Sequence, residues 1–156
     1  MLTSVFAPSI VAVRHYAPLV PAEFFQQIRA GLWVSGDFLN AVVAKARVVE
    51  AGTTFTVKLQ TLGRAANDTE IEDPVIGLGP NHLFDETALC GVAAGLIKEQ
   101  SQGEGGALLN DGKVILFYLS SGVVRMRWRT VSREWDLHPW QRNNRHEAGS
   151  QIVSPA

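Results

Sequence analysis

Apolar positions recur along this chain with two periods, and the sharpest signal is a period of two over residues 113–131. There "KVILFYLSSGVVRMRWRTV" holds two β-prone runs around a short Ser-Gly turn. With the loop at Ser121–Gly122, Ile115, Phe117, Leu119, Val124, Met126 and Trp128 share one face of a hairpin. The other face carries Val114, Leu116 and Tyr118 beside Arg125, Arg127 and Arg129. The arginine row is therefore not a plain wet face, because its stems have an apolar floor to lie on.

A second hairpin is expected over about 41–62, turning at Ala51–Gly52. Val42, Ala44, Ala46 and Val48 then join Phe55, Val57 and Leu59 on one side, with Lys45, Arg47, Thr54, Thr56, Lys58 and Gln60 on the other. Residues 38–50 also give a tolerable helical stripe, but the hairpin sorts both of its strands at once. The N-terminal residues 5–14 read as a short strand or extended arm.

Two stretches have helical spacing. Pro21 suits the first turn of a helix over about 21–33, with Phe24, Phe25, Ile28 and Leu32 on one face. A helix over about 83–100 places Leu83, Ala88, Leu89, Val92, Ala93, Leu96 and Ile97 on a broad apolar face. Its small residues Ala88, Gly91, Ala93, Ala94 and Gly95 would let it approach a sheet closely. Residues 63–81, with two prolines, three glycines and several acids, read as a long loop of the sort that often carries function.

These elements predict an α+β fold, with an antiparallel sheet built from the two hairpins and the two helices packed on it. One domain over 1–140 is expected, followed by a polar C-terminal tail over 141–156 in which the last dozen residues have little to bury.

Composition narrows the picture. The chain has 156 residues, 46% hydrophobic and 19% charged, enough for one sizeable core. The single cysteine, Cys90, rules out an intrachain disulfide and with it a disulfide-stapled secreted domain. The apolar start "MLTSVFAPSIVAV" lacks a basic leader and is interrupted by Arg14 and His15. These features point to a soluble protein of the cytoplasm or another reducing compartment, free or built into a larger particle, with no membrane partner.

Net charge is −1, so nonspecific coating of nucleic acid is disfavoured. The charges are uneven, however. Residues 125–145 hold six arginines against Glu134 and Asp136, while 68–86 hold Asp68, Glu70, Glu72, Asp73, Asp85 and Glu86. Two such regions either neutralise each other within one fold or pair head to tail between copies.

Candidate chemistry is sparse. His82, Asp85 and Glu86 are spaced to share a helix face, which makes them candidates for a metal site or acid–base work. Acids in a first helical turn also suit the helix dipole, and Asp85 suits a cap. Cys90 sits mid-helix and reads as a small buried hydrophobe rather than a nucleophile. No cofactor motif is present: "GLGP" and "GEGG" lack the context and the lysine of a phosphate loop.

Arg125, Arg127 and Arg129 on a β-ribbon are suited to bidentate contact with carboxylates or phosphates. Tyr118, and Trp135 or Trp140 nearby, offer aromatic contacts. The expectation is a non-catalytic subunit that self-associates or docks into a larger assembly through this ribbon. The acidic loop 68–73 of a neighbouring copy is the first candidate acceptor. A nucleic-acid-binding accessory protein using the same arginines, and a small enzyme at His82, Asp85 and Glu86, are the alternatives.

Overall fold

The computed structural model describes residues 9–156; the first part of the arm expected over 5–14 lies outside them. In chain order the elements are β1 (Ser9–Arg14), α1 (Pro21–Phe24), β2 (Ile28–Arg29), β3 (Leu32–Val34), α2 (Gly36–Ala41), a 3-10 turn (Val43–Lys45) and β4 (Thr54–Thr61). There follow β5 (Ala66–Asn67), α3 (Asp68–Glu72), α4 (Glu86–Glu99), β6 (Ile115–Leu119), β7 (Gly122–Arg129), β8 (Glu134–Trp140), β9 (Arg145–His146) and β10 (Gln151–Pro155). The architecture is α+β. One eight-stranded sheet runs β1-β4-β10-β6-β7-β8-β3-β2, with β5 and β9 forming a separate small ribbon. The sheet is mixed: β10 with β6 and β3 with β8 are parallel, the other pairs antiparallel. No helix among the described residues is long and apolar enough to cross a membrane.

The hairpin over 113–131 forms as β6 and β7, with Leu119 opposite Gly122 and Ser120–Ser121 as the loop. The register differs by two residues from a Ser121–Gly122 turn, and a slip of two leaves every side chain on its expected face. Phe117, Met126 and Trp128 enter the main core together with Val57, while Phe55 packs against it partly buried.

The hairpin expected over 41–62 does not form. Its second strand exists as β4, but β4 pairs with β1 and β10, not with residues 41–50. The first half is instead α2 and the 3-10 turn. Ser35 caps α2, its hydroxyl accepting from the Phe38 N–H at 3.1 Å. Phe38 and Val42, one helical turn apart, are buried together with Val43. The alternation over 42–48 was a coincidence of small and apolar residues; the capping serine was the decisive local signal.

The helix expected over 21–33 is likewise cut short. α1 has four residues, and a tight hairpin of β2 and β3 follows, with Arg29 opposite Leu32 and Ala30–Gly31 as its loop. Gly31 holds φ +77°, a left-handed conformation that a helix interior excludes and glycine tolerates. β3 is then recruited in parallel by β8.

The helix expected over 83–100 forms as α4, capped by Asp85, whose carboxylate accepts from the Ala88 N–H at 2.7 Å. Its glycines do permit close packing. A Cβ on Gly95 would lie 2.2 Å from Val13 Cγ1, and one on Gly91 would lie 2.5 Å from the Phe55 ring. Leu89, Cys90, Val92, Ala93, Leu96 and Ile97 are buried in the main core.

The polar tail expected over 141–156 is replaced by ordered structure. β10 sits in the middle of the sheet between β4 and β6, and Ile152 and Val153 are fully buried on opposite faces. Two neighbours satisfy its backbone, and two packed layers bury its side chains. Five residues with a two-residue apolar run thereby suffice for a central strand.

Candidate functional site

The two faces of the sheet differ. One carries the main core beneath α1, α2 and α4. The other is split. Over β10 and β6, Leu116, Tyr118 and Ile152 are covered by Leu62, Ala66, Ile71 and Leu78 from the 62–78 segment. That segment is the long acidic loop, so the apolar floor expected beneath the arginines is largely roofed by the chain itself.

The roof is pinned by polar groups. Asp68 is buried, and its Oδ1 accepts from the Tyr118 hydroxyl at 2.6 Å and contacts His146 Nε2 at 2.8 Å. Its Oδ2 accepts from the Asn144 N–H at 2.9 Å. Burial alone would raise the Asp68 carboxyl, but hydrogen bonds from His146, Tyr118 and the Asn144 backbone outweigh it and hold it below its ordinary range. Burial and the bond to Asp68 push the Tyr118 hydroxyl upward.

Beside it, Arg142 Nε and Nη2 donate to the two Glu72 oxygens at 2.7 and 3.0 Å, and His82 Nε2 contacts Glu72 Oε1 at 2.9 Å. Arg142 also donates to the Leu119 carbonyl. Glu72 would be raised by burial, yet Arg142 and His82 hold its carboxyl low. The acidic stretch and the arginine-rich stretch thus meet within one chain. Glu70 pairs with Arg64 at 2.9 Å, and Asp73 accepts from the Val75 and Ile76 N–H groups.

Over β7, β8 and β3 the same face is open. Arg125, Arg127 and Arg129 lie opposite His138, Asp136 and Glu134 of β8, and Trp33 of β3 lies beside Asp136. The strand geometry puts all these side chains on one side. Arg125 stacks on Trp140, its guanidinium carbon 4.2 Å from the ring centroid, and its Nη2 meets His138 Nε2. Asp136 is 3% exposed; its Oδ2 lies 3.6 Å from Arg127 Nε and 3.9 Å from Arg129 Nε, ion pairs too long to be hydrogen bonds. Arg125 Nε, Arg127 Nε and Asp136 Oδ1 are buried atoms without a hydrogen-bond partner. Burial and the Arg127 charge lower Arg125 from its ordinary value, with Asp136 opposing. Burial and Arg125 lower His138, again with Asp136 opposing.

The expected site residues therefore divide. Arg125, Arg127, Arg129 and Trp140 gather on the open half-face. Tyr118 is on the same side of the sheet but fully buried under the roof, so its ring is closed to stacking. Trp135 is a core residue: it faces the other side, is fully buried, and its indole N–H donates to the Gln100 carbonyl at 2.7 Å. A one-residue step along β8 decides this, since Trp135 and Trp140 differ by an odd number. His82, Asp85 and Glu86 are not brought together: His82 turns to Glu72 while Asp85 caps α4. Among the described residues no group of three or more His, Cys, Asp or Glu side chains is placed to hold a metal ion.

Cys90 is fully buried, and burial with the nearby Glu86 and Asp85 charges pushes its thiol up to about 12. Trp33, His138, Asp136 and the Asp68–Tyr118–His146 network were missed from sequence. "EWDLHPW" alternates Glu134, Asp136, His138 and Trp140 with Trp135 and Leu137, a strand signal obscured by its proline.

No family model matches the chain, and no curated protein and no solved structure is similar to it.

Proposed function

We propose that this chain is a non-catalytic interaction subunit that associates with copies of itself, or docks into a larger assembly, through the half-face bearing Arg125, Arg127 and Arg129. The observation that carries this reading is the split of one sheet face. Half is roofed by the chain's own 62–78 segment; the other half leaves partly exposed arginines and half-buried Trp33 and Trp140 without such a roof, over buried guanidinium Nε atoms that lack a hydrogen-bond partner. Arginine suits such a surface because its guanidinium is weakly hydrated and pairs bidentately with carboxylates.

The acceptor is an anionic group outside the 68–73 stretch, since Asp68, Glu70, Glu72 and Asp73 are all engaged within their own chain. The buried state of the Asp68–Tyr118–His146 cluster and the suppressed acidity of Cys90 favour a binding role over catalysis.

The test is the native mass of the particle. Assembly that weakens when the three arginines become serine supports the reading; a strict monomer that captures no acidic partner removes it. A second reading rests on the rings of Trp33, His138 and Trp140 beside the arginines, an arrangement on which single-stranded nucleic acid can stack. Salt separates the two, because phosphate contacts weaken steeply as salt rises.

A further inference from the structure

The open half-face contains a pair of alternatives around one imidazole. His138 Nε2 meets the Arg125 guanidinium on one side, and Asp136 Oδ1, buried and without a hydrogen-bond partner, lies 3.8 Å away on the other. As long as Nε2 accepts from Arg125, the imidazole is neutral and its proton sits on Nδ1. Arg125 is then held flat on Trp140 and is not free to reach outward. The carboxylate meanwhile lacks the donor that a buried oxygen requires. One proton from solvent on Nε2 reverses both conditions. The nitrogen can no longer accept, so Arg125 loses its anchor, and it gains a hydrogen that a turn of the ring offers to the oxygen that lacks one.

We infer that His138 is a proton-operated latch on Arg125: neutral, it ties the guanidinium down over Trp140; protonated, it turns to Asp136 Oδ1 and frees Arg125 for an anionic group of the docking partner. The consequence for docking rests on the proposed function, whereas the latch is a property of the chain alone.

The groups facing the imidazole set the direction. Arg125 and Arg127 of β7 oppose a second positive charge, Asp136 on β8 favours it, and the Trp33 ring of β3 is neutral at 6.4 Å. Burial is the largest influence against the charged ring and acts with the arginines, so the latch opens below the ordinary imidazole value near 6.5. An anion arriving at Arg125 adds negative charge beside the imidazole and draws the proton on. Complex formation therefore takes up a proton, and affinity rises as pH falls.

The experiment follows the His138 imidazole and the Arg125 Nε–H by NMR in the full chain across an acid titration. The expected result is one shared midpoint for both signals and for the Trp140 indole. Arg125→Gln raises the His138 midpoint and Asp136→Asn lowers it. An Arg125 signal that stays still while His138 titrates, or that still titrates in His138→Gln, overturns the latch.

A second arm measures self-association at about pH 7.5 and about pH 5.5 at fixed salt. Association should strengthen about tenfold for each unit by which docking raises the midpoint, and His138→Gln should flatten this dependence. Association that is strong but indifferent to pH overturns the coupling and leaves the docking reading intact. Absent association at both values removes the docking reading, while the shared midpoint still decides the latch.

Discussion

The two halves of one sheet face are built from similar materials and end in opposite states. Over β10 and β6, a carboxylate, a tyrosine and a histidine meet at hydrogen-bonding distance beneath a roof, and Asp68 accepts three bonds. Over β7 and β8, a carboxylate, a histidine and three arginines lie side by side, yet Asp136 lies beyond hydrogen-bonding reach of each ionic neighbour. Both acids are almost completely buried. The difference is therefore in partners, not in burial. A buried polar network that is fully satisfied fixes a structure, whereas one left incomplete holds polar atoms at a free-energy cost that a further partner would relieve. The covered half explains how the chain folds; the open half is where an outside group has something to gain.

The largest test of this contrast removes what both halves share. Trp128 lies on the core side behind the arginines, and Trp128→Ala should cost roughly 3–5 kcal/mol in urea unfolding as a large buried truncation. A loss well below that range would mean that the sheet's core side is not the common support.

The next test compares the two acids directly. Asp68→Asn replaces an acceptor bonded to Tyr118, His146 and the Asn144 N–H, and should cost about 3 kcal/mol. Asp136→Asn breaks no direct hydrogen bond and should cost under about 1 kcal/mol. Equal losses would erase the distinction between a closed and an open network.

Acid should act on the halves in sequence. His138 is depressed in the folded state, so its share of stability is present above the unfolded imidazole value and fades as pH falls below about 6.5. Asp68 and Glu72 are also depressed, so their share persists through that range. It fades only as pH drops below the ordinary carboxylate values of 3.8 and 4.5 toward the lower folded ones. Urea midpoints against pH should show a small early decline, absent in His138→Gln, and a larger late one, reduced in Asp68→Asn. A single late transition in the parent would tie both halves to the carboxylates.

The smallest effect on folding is expected from the arginine row. Changing Arg125, Arg127 and Arg129 together to serine should shift stability by about 1 kcal/mol or less, because these side chains are partly exposed and their ion pairs are long. The same variant should lose assembly. Normal assembly and unchanged binding would make the row a solvated face.

Local pattern carried the β6–β7 hairpin and the helix α4, whose partner or cap lies close in sequence, and the strand at β4, whose alternation is strong although its partners β1 and β10 are distant. Their faces were legible too: Trp128, Met126 and Phe117 go to the core and the arginines away from it, because alternation in an extended strand fixes sides whatever the strand pairs with. The burial of Cys90 followed from its place on an apolar helical face.

Pairing across long separations was not legible. β10 enters the sheet beside β4, with Gln151 opposite Thr61, and β8 takes β3 as a parallel neighbour from a hundred residues away. Short runs such as "QIVSP" and "LWV" are too brief to announce themselves as strands, and they become strands because neighbours already in place satisfy their backbone. Asp68, Tyr118 and His146 likewise meet only when the 62–78 segment folds over β6. The sequence by itself determined which side of the ribbon the arginines occupy and that they stand apart from the core. Only the tertiary structure decided that the acidic loop closes on its own chain and that Asp136 and His138 stand among the arginines. Charge and spacing along a chain set what each residue can pair with, but the choice of partner is made by the contacts of elements distant in sequence.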